Sequence, residues 1–294
     1  MKKLSYLLIY LLINTAVFGQ ATMQYNLSLG DVFTIKQDAN QIITQEIDGA
    51  THEITNTLHG ILEFRVKGDD NNTYDIDVMF KDLNLKMTSS IQGELMNVKA
   101  KDFEENDAQS KIFNSLLDVP IQIILARTGD ILEVNGGDSL VSIMAKVSGL
   151  EDDFSLNMMK KSLEKEFGSE ALSNSYKQLT FLYPVSPIEI GDSWKNEYAG
   201  KLHAQNTWTL NAISEAGVNI EGKALVLMDV VEPSSTMKLN GTQNSSVIAD
   251  ITTGFVKKMT VHALAEGYTT MTQMGDQEIP TIIESTIIYE LIEN

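Results

Sequence analysis

Apolar residues alternate with polar ones in the first third of this 294-residue chain, and this alternation favours strands with one buried face. One such stretch runs from Leu58 to Val66, with the period of two that is typical of a half-buried strand. A second stretch, Ile76–Phe80, changes phase before Leu83–Met87. Because a one-residue slip reverses the two faces, a β-bulge near Lys81–Asp82 is predicted to keep both runs on the core side.

The middle of the chain has helical periodicity instead. Four helices are predicted, beginning at Asp107, Asp138, Glu151 and Ser169. Asp107 and Asp138 are expected to act as N-caps, and the acidic start of the third helix suits the positive end of the helix dipole. A short hairpin, 121–134, is predicted between the first two helices.

These patterns predict an α+β, mainly β fold with long antiparallel strands, and the bulge favours a curved sheet. We expect an N-terminal β region at 20–104, a helical insert with a short hairpin at 105–183 and a C-terminal β region at 184–294. The last strand, 282–292, carries apolar residues on both faces and is predicted to be central and covered on both sides. Either two similar sheets or one continuous sheet fits the sequence.

Two short echoes suggest internal duplication. Gly30-Asp31 resembles Gly191-Asp192. Each pair follows an apolar residue, and one residue separates it from an aromatic residue. Thr128-Gly129 likewise resembles Thr253-Gly254, and both precede a predicted strand.

The first nineteen residues have the layout of a secretory signal peptide. Lys2 and Lys3 precede an apolar run, Leu4–Ile13, and small residues stand before a cut at Gln20. The chain has no cysteine, so neither a lipid-modified cysteine nor a disulfide framework is available. We therefore expect an exported, free protein without stable membrane insertion after cleavage, periplasmic rather than extracellular. An uncleaved anchor is the alternative.

The chain is strongly acidic, with a formal net charge of −18. Removing Lys2 and Lys3 with the signal peptide lowers that charge to −20. Binding to nucleic acid or to anionic lipid surfaces relies on lysine and arginine, so neither is an expected partner.

No catalytic or metal motif is complete, so we expect a non-enzymatic protein without a metal site or cofactor. Gly137–Leu140 spells the nucleophile block of GDSL-type hydrolases, but none of the four histidines has an aspartate three residues before it. We interpret Asp138 as a helix cap there. The acidic stretch Gly68–Asn72 is predicted to be a hairpin turn, and weak calcium binding stays open.

Flexible apolar side chains are concentrated in the helical insert, where methionine suits adaptable apolar surfaces. They predict a carrier for an apolar ligand, with a pocket lined by Met144, Met158, Met159, Leu163 and Phe167. An ordinary helix-on-sheet core would give the same pattern. The alternatives are a structural or interaction module of the cell envelope, with an envelope protein as partner, and a hydrolase with an unrecognised site.

Residues Pro184–Trp194, with Asp250 and Thr253–Val256, resemble an uncharacterised family of exported Bacteroidetes proteins. That family is known as a domain of unknown function. The resemblance implies export into a diderm envelope and a β-rich fold, and it brings no activity and no catalytic residues.

Overall fold

The computed structural model describes residues 21–70, 72–200 and 202–292, which form one twelve-stranded sheet and four α-helices. The predicted signal peptide lies outside the described residues. The strands are β1 Val32–Ile47, β2 Ala50–Asp70, β3 Thr73–Ser89, β4 Gly93–Lys99, β5 Ile121–Ala126, β6 Ile131–Asn135, β7 Ser193–Tyr198, β8 Leu202–Ser214, β9 Gly217–Glu232, β10 Ser235–Ala249, β11 Val256–Met271 and β12 Glu278–Ile292. The helices are α1 Ala108–Asn114, α2 Gly137–Val147, α3 Asp153–Phe167 and α4 Ser169–Thr180.

The sheet is antiparallel and continuous, with the order β6-β5-β3-β2-β1-β12-β11-β10-β9-β8-β7, and β4 pairs with β3. The prediction of a mainly β fold with a helical insert is confirmed. Of the two arrangements left open by the sequence, the structure has one sheet. Strand β12 joins the N-terminal strands to the C-terminal ones by pairing with both β1 and β11.

The predicted bulge is present in β3. Ile61 pairs with Asp82 and Leu62 pairs with Phe80, so the intervening Lys81 is the extra residue. Phe80 and Leu83 are both buried as a result. The bulge therefore keeps the apolar residues on the core side after the change of phase.

Two of the helix starts follow from local hydrogen bonding. The Asp107 side chain accepts from the Ser110 N–H at 3.0 Å and caps α1, and Asp152 caps α3 in the same way. The prediction that Asp138 caps α2 is wrong. The cap is Gly136 at φ +102°, through which the chain turns directly from β6 into the helix, so that Asp138 lies in the first turn. Among the described residues, no helix is both long and apolar enough to cross a membrane.

Strand β12 is central in the sheet, as predicted, but its second face is not covered. Ile283 and Tyr289 are buried on one face, whereas Ile282 on the other face is 40% exposed. Ile292, on the same face as Ile282, is 38% exposed, so apolar residues of this second face remain at the surface.

The segment before β1 crosses two turns of the sheet. The Tyr25 N–H donates to the Arg127 carbonyl at 2.8 Å, and the Asn26 N–H donates to the Thr253 carbonyl at 2.8 Å. The buried Tyr25 hydroxyl also donates to the Thr180 carbonyl at the end of α4. This segment thus ties together the β5–β6 turn, the β10–β11 turn and α4.

Both edge strands are linked to the chain that leaves α4. The Trp194 indole N–H in β7 donates to the Leu182 carbonyl at 2.8 Å. The next residue, Tyr183, donates its N–H to the carbonyl of Thr128, just before β6. The helical insert therefore contacts both ends of the sheet.

The Gly-Asp echoes form the same turn twice. Gly30 and Gly191 have φ values of +92° and +96°. Each glycine N–H donates to the neighbouring strand, at Val66 in β2 or Leu210 in β8. In both turns the following aspartate accepts from the N–H three residues earlier at 2.8 Å.

A substitution at Gly254 tests the crossing of the N-terminal segment. Gly254 and Gly275 have φ values of +69° and +67°, so alanine costs roughly 1 kcal/mol of backbone strain at either position. At Gly254 the added Cβ would also overlap the Gln24 carbonyl, whereas open space surrounds Gly275. We expect G254A to lower the free energy of unfolding by about 2 kcal/mol more than G275A, measured in urea. Equal losses would show that the crossing is not tightly packed.

Candidate ligand-binding cavity

Of the five residues predicted to line a pocket, one belongs to α2 and four belong to α3. Met144 is fully buried in the main core. Met159, Leu163 and Phe167 are partly buried against the same core, while Met158 is 55% exposed. None of them lines the cavity described below. Their role in ligand binding stays a prediction.

Phe167 packs against two other aromatic rings. Its ring lies edge-on to Phe113 and Phe80, with centroid distances of 5.8 and 6.4 Å. We expect F167A to lower the free energy of unfolding by about 3 kcal/mol, since it leaves a void among aromatic rings.

The exposed Met158 in the same helix is the matched control for that variant. M158A should change the free energy of unfolding by less than about 0.5 kcal/mol, measured by the same denaturation. Loss of ligand uptake with unchanged stability in F167A would instead support the predicted pocket.

A cavity of about 480 Å³ lies on the core face of the sheet, next to the helices. This volume falls within the range of about 300–1,000 Å³ that is common for ligand sites. Most of its lining is apolar, and the lining comes from β1–β4, β8–β12, α3 and α4. Its apolar side chains include Leu58, Leu85, Met87, Met96, Leu202, Val226, Met228, Val261, Ile283 and Ile287.

Small side chains create this space. Along the inward rows of β1, β11 and β12, the large residues Ile35, Met259 and Tyr289 give way to Ala39, Ala263 and Ser285. Ala263 and Ser285 pair directly across β11 and β12. The interior is thus filled at one level and open at the next.

One wall of the cavity carries a pair of amides. Asn56 donates from Nδ2 to Oε1 of Gln41 at 3.0 Å. The other oxygen of this pair, Oδ1 of Asn56, is buried and accepts no hydrogen bond. A buried polar atom without a partner costs free energy, so this atom makes the wall less stable than a fully paired one would be.

A second set of polar side chains comes from α4, β10 and β7. Gln178 donates to Oε1 of Gln243 at 3.4 Å, and Gln243 donates to the Tyr198 hydroxyl at 3.2 Å. Burial raises the pKa of Tyr198, so its phenol stays neutral at physiological pH. All of these groups are uncharged hydrogen-bonding side chains.

Charged groups occur only at the rim of the cavity. Among the described lining residues these are Lys86 and Glu166, and both are exposed. Lys86 also forms an ion pair with Glu94, with 3.4 Å between Nζ and Oε2. The arrangement can hold an apolar molecule and can hydrogen-bond a neutral polar group within it.

The histidine contacts of the described chain lie elsewhere. On the far face of the sheet, Nδ1 of His59 is 2.7 Å from Asp38, which also pairs with Lys36. Partial burial alone would raise the pKa of Asp38, but hydrogen bonds from His59 and Lys36 hold it below its ordinary value. A carboxylate thus lies beside a histidine here, as it does at His203, where Nε2 is 3.8 Å from Oε2 of Glu197. The described contacts of His59 include no hydroxyl nucleophile.

Ser139, from the GDSL-like block, is exposed in the first turn of α2, away from every histidine contact that the structure describes. Within the described ranges, no three histidine or carboxylate side chains are grouped closely enough to hold a metal ion.

Sequence reasoning missed the cavity residues, although a signal for some of them exists. Gln41, Asn56 and Gln243 are polar residues at inward positions, where strand alternation calls for apolar ones. Such breaks in alternation indicate polar groups inside a core. The pairing that brings them to one cavity spans the whole chain and is not visible in any local pattern.

The fold and cavity define a mainly β protein with one antiparallel sheet and a mostly apolar cavity on the core face of that sheet. Residues 71–256 match the Family of unknown function (DUF6263), and the chain belongs to this family. This confirms the resemblance to an uncharacterised family, while its bacterial group and its export stay predictions. No curated protein matches the sequence.

Three solved structures show distant similarity. Lipovitellin, from a study of its lipid–protein interactions, has 12% identity and a TM-score of 0.49 over 91% of this chain, which spans only 26% of lipovitellin. An outer membrane channel from Pseudomonas putida F1 has 7% identity and a TM-score of 0.30, covering 92% of this chain and 98% of the channel. An autotransporter translocator domain from Neisseria meningitidis has 8% identity and a TM-score of 0.22, covering 90% and 89%. These similarities carry no argument about function.

Proposed function

We propose that this protein is a non-enzymatic carrier that holds an apolar ligand in the 480 Å³ cavity. The observation that carries the proposal is a mostly apolar space on the core face of the sheet, with charges only at its rim. Moving an apolar chain from water into such a space is favourable in proportion to the area buried.

The methionines and small residues of the lining suit a flexible ligand. Met87, Met96 and Met228 have unbranched side chains that adapt to irregular shapes. Ala39 and Ala263 leave room for the ligand's own chain. A lipid or another long apolar molecule is the class of ligand that fits these walls.

We further propose that the sheet is curved around the ligand. Strands β3 and β8 both line the cavity, yet they are seven positions apart in the strand order. In a flat sheet, at about 4.8 Å per strand, they would be about 34 Å apart. Their shared lining supports the sequence-based expectation of a curved sheet, because curvature would bring the side chains of both strands to one cavity.

The proposed place of action is the cell envelope. The signal-peptide layout of residues 1–19 supports export, and the lack of cysteine is compatible with a free protein there. We favour the periplasm over the extracellular space.

An interaction module without a small ligand is the second candidate. It is favoured by an apolar patch on α3, where Phe154 is 77% exposed and Met158 lies one turn further along the same helix. Large exposed apolar groups close together commonly mark contact sites for other macromolecules.

Native mass spectrometry separates the two candidates. The protein is purified from an envelope fraction of the cells that produce it, and bound molecules are then released by organic extraction. A stoichiometric apolar mass that is released on extraction would support the carrier. A clean apo mass, with no uptake of added lipids, would contradict the carrier and favour the interaction module.

Filling the cavity gives a sharper test. Ala263 lines the cavity, and its neighbour Leu264 lies on the exposed face of the same strand. We expect A263F to lower uptake of an apolar fluorescent probe at least tenfold, because the added ring occupies the ligand's space. L264F adds a ring to the outer face and should leave uptake unchanged. Equal uptake by both variants would show that the probe binds elsewhere.

A further inference from the structure

We infer that α3 forms a two-fold symmetric contact with α3 of a second copy of this chain, and that the two helices run antiparallel in it. This inference concerns the surface of the protein and does not depend on the ligand proposed above. The contact would cover two large apolar side chains that the fold leaves in solvent.

Helix α3 carries apolar side chains on two opposite faces. Met159, Leu163 and Phe167 pack against the main core on one face. Phe154 and Met158 are exposed, and with 3.6 residues per turn they lie on roughly the opposite side of the helix. A helix that is apolar on both sides is typically covered on both, so the outer side of α3 calls for a partner.

The charges beside this outer face follow a self-complementary order. Glu151, just before the N-cap Asp152, comes three residues before Phe154, and Lys161 comes three residues after Met158. The order along the chain is therefore acid, apolar, apolar and base. Steps of three and four residues keep side chains on one face of a helix, as in a coiled-coil seam.

A second α3 turned by 180° brings complementary groups together along this order. With the two-fold axis at the level of Leu156, Phe154 lies opposite Met158 of the second copy, and Glu151 lies opposite its Lys161. Both apolar side chains are then covered, and one ion pair flanks them at each end. A symmetric contact requires a patch that complements itself, whereas a foreign partner does not, so this order favours a second copy.

The helix dipole does not account for Lys161. A lysine complements the dipole in the last turn, where Lys165 lies, but Lys161 is in the middle of the helix. Lys165 pairs with Glu232. Among the described residues, neither Glu151 nor Lys161 forms such an ion pair, so both charges are available to a second copy.

A lipid bilayer fits this face less well. Glu151, Asp152 and Asp153 are all exposed beside Phe154, and carboxylates are costly to bury and are repelled by anionic lipids. The net charge of −18 also makes two copies repel each other. At physiological salt, however, charges more than about 8 Å apart are largely screened, so the adjacent pairs of the contact dominate.

Sedimentation equilibrium of the full mature protein at physiological salt tests the contact. A range of about 1–500 µM is needed, because a contact of this size is at the weak end for protein interfaces, and we expect a reversible dimer. K161E and E151K each put two pairs of like charges into the contact and should weaken dimerisation about tenfold. The double variant E151K/K161E exchanges the charges and should restore wild-type dimerisation. An equimolar mixture of the two single variants should form mixed dimers more tightly than either variant dimerises alone.

The control variant is K67E, which makes the same change of charge at an exposed position of β2 and should leave dimerisation unchanged. F154S should abolish the dimer over this range. A monomer at every concentration would overturn the inference, as would a dimer that persists in F154S. Equal weakening by K67E and K161E would overturn it too, by showing an effect of net charge alone. A monomer that floats with phosphatidylcholine vesicles, but not as F154S, would overturn it in favour of a membrane.

Discussion

The hydrogen bonds of Tyr25 and Asn26 to two glycine turns hold the sheet and the helices in one arrangement. The Tyr25 ring lies edge-on to Tyr183 and Phe255, at centroid distances of 5.2 and 6.1 Å. Its hydroxyl donates to the Thr180 carbonyl at the end of α4. Burial raises the pKa of Tyr25 well above its ordinary value, so this hydroxyl stays protonated as a donor at any physiological pH. Both turns are followed by strands of the same sheet. Loss of the Tyr25 and Asn26 hydrogen bonds would therefore loosen the N-terminal and C-terminal strands together.

The cavity follows from a difference in length between strands and helices. A 21-residue strand such as β2 is about 70 Å long, whereas a 12-residue helix such as α4 is about 18 Å long. The helices therefore cover only part of the inward face. Large side chains, including Phe64 and Trp208, fill the covered part. Beyond it the inward rows change to alanine, serine and amide side chains, and the face remains open.

Local physics explains which features could be predicted. The bulge at Lys81 follows from a change of phase within one strand, and the Asp107 cap follows from one side chain and the N–H three residues later. The error at Asp138 has the opposite cause, because the close packing of Gly137 against Ser169 in α4 sets the start of α2. The inner face of β12 could be predicted from its apolar residues, whereas the exposure of the second face depends on what packs there, which no local pattern shows. The cavity likewise depends on pairing between strands that lie far apart in sequence.

The cavity is lined by strands that follow each of the two Gly-Asp turns. Strands β1–β3 follow the first Gly-Asp turn and β7–β9 follow the second, with the same hydrogen bonds to the neighbouring strand in each. Strands β12, β11 and β10 lie between the two groups, and β12 pairs with β1 and β11. The lining comes from both groups and from the three strands between them, so the cavity spans the junction of the two groups. A ligand at the proposed site would therefore contact the N-terminal and the C-terminal strands at once.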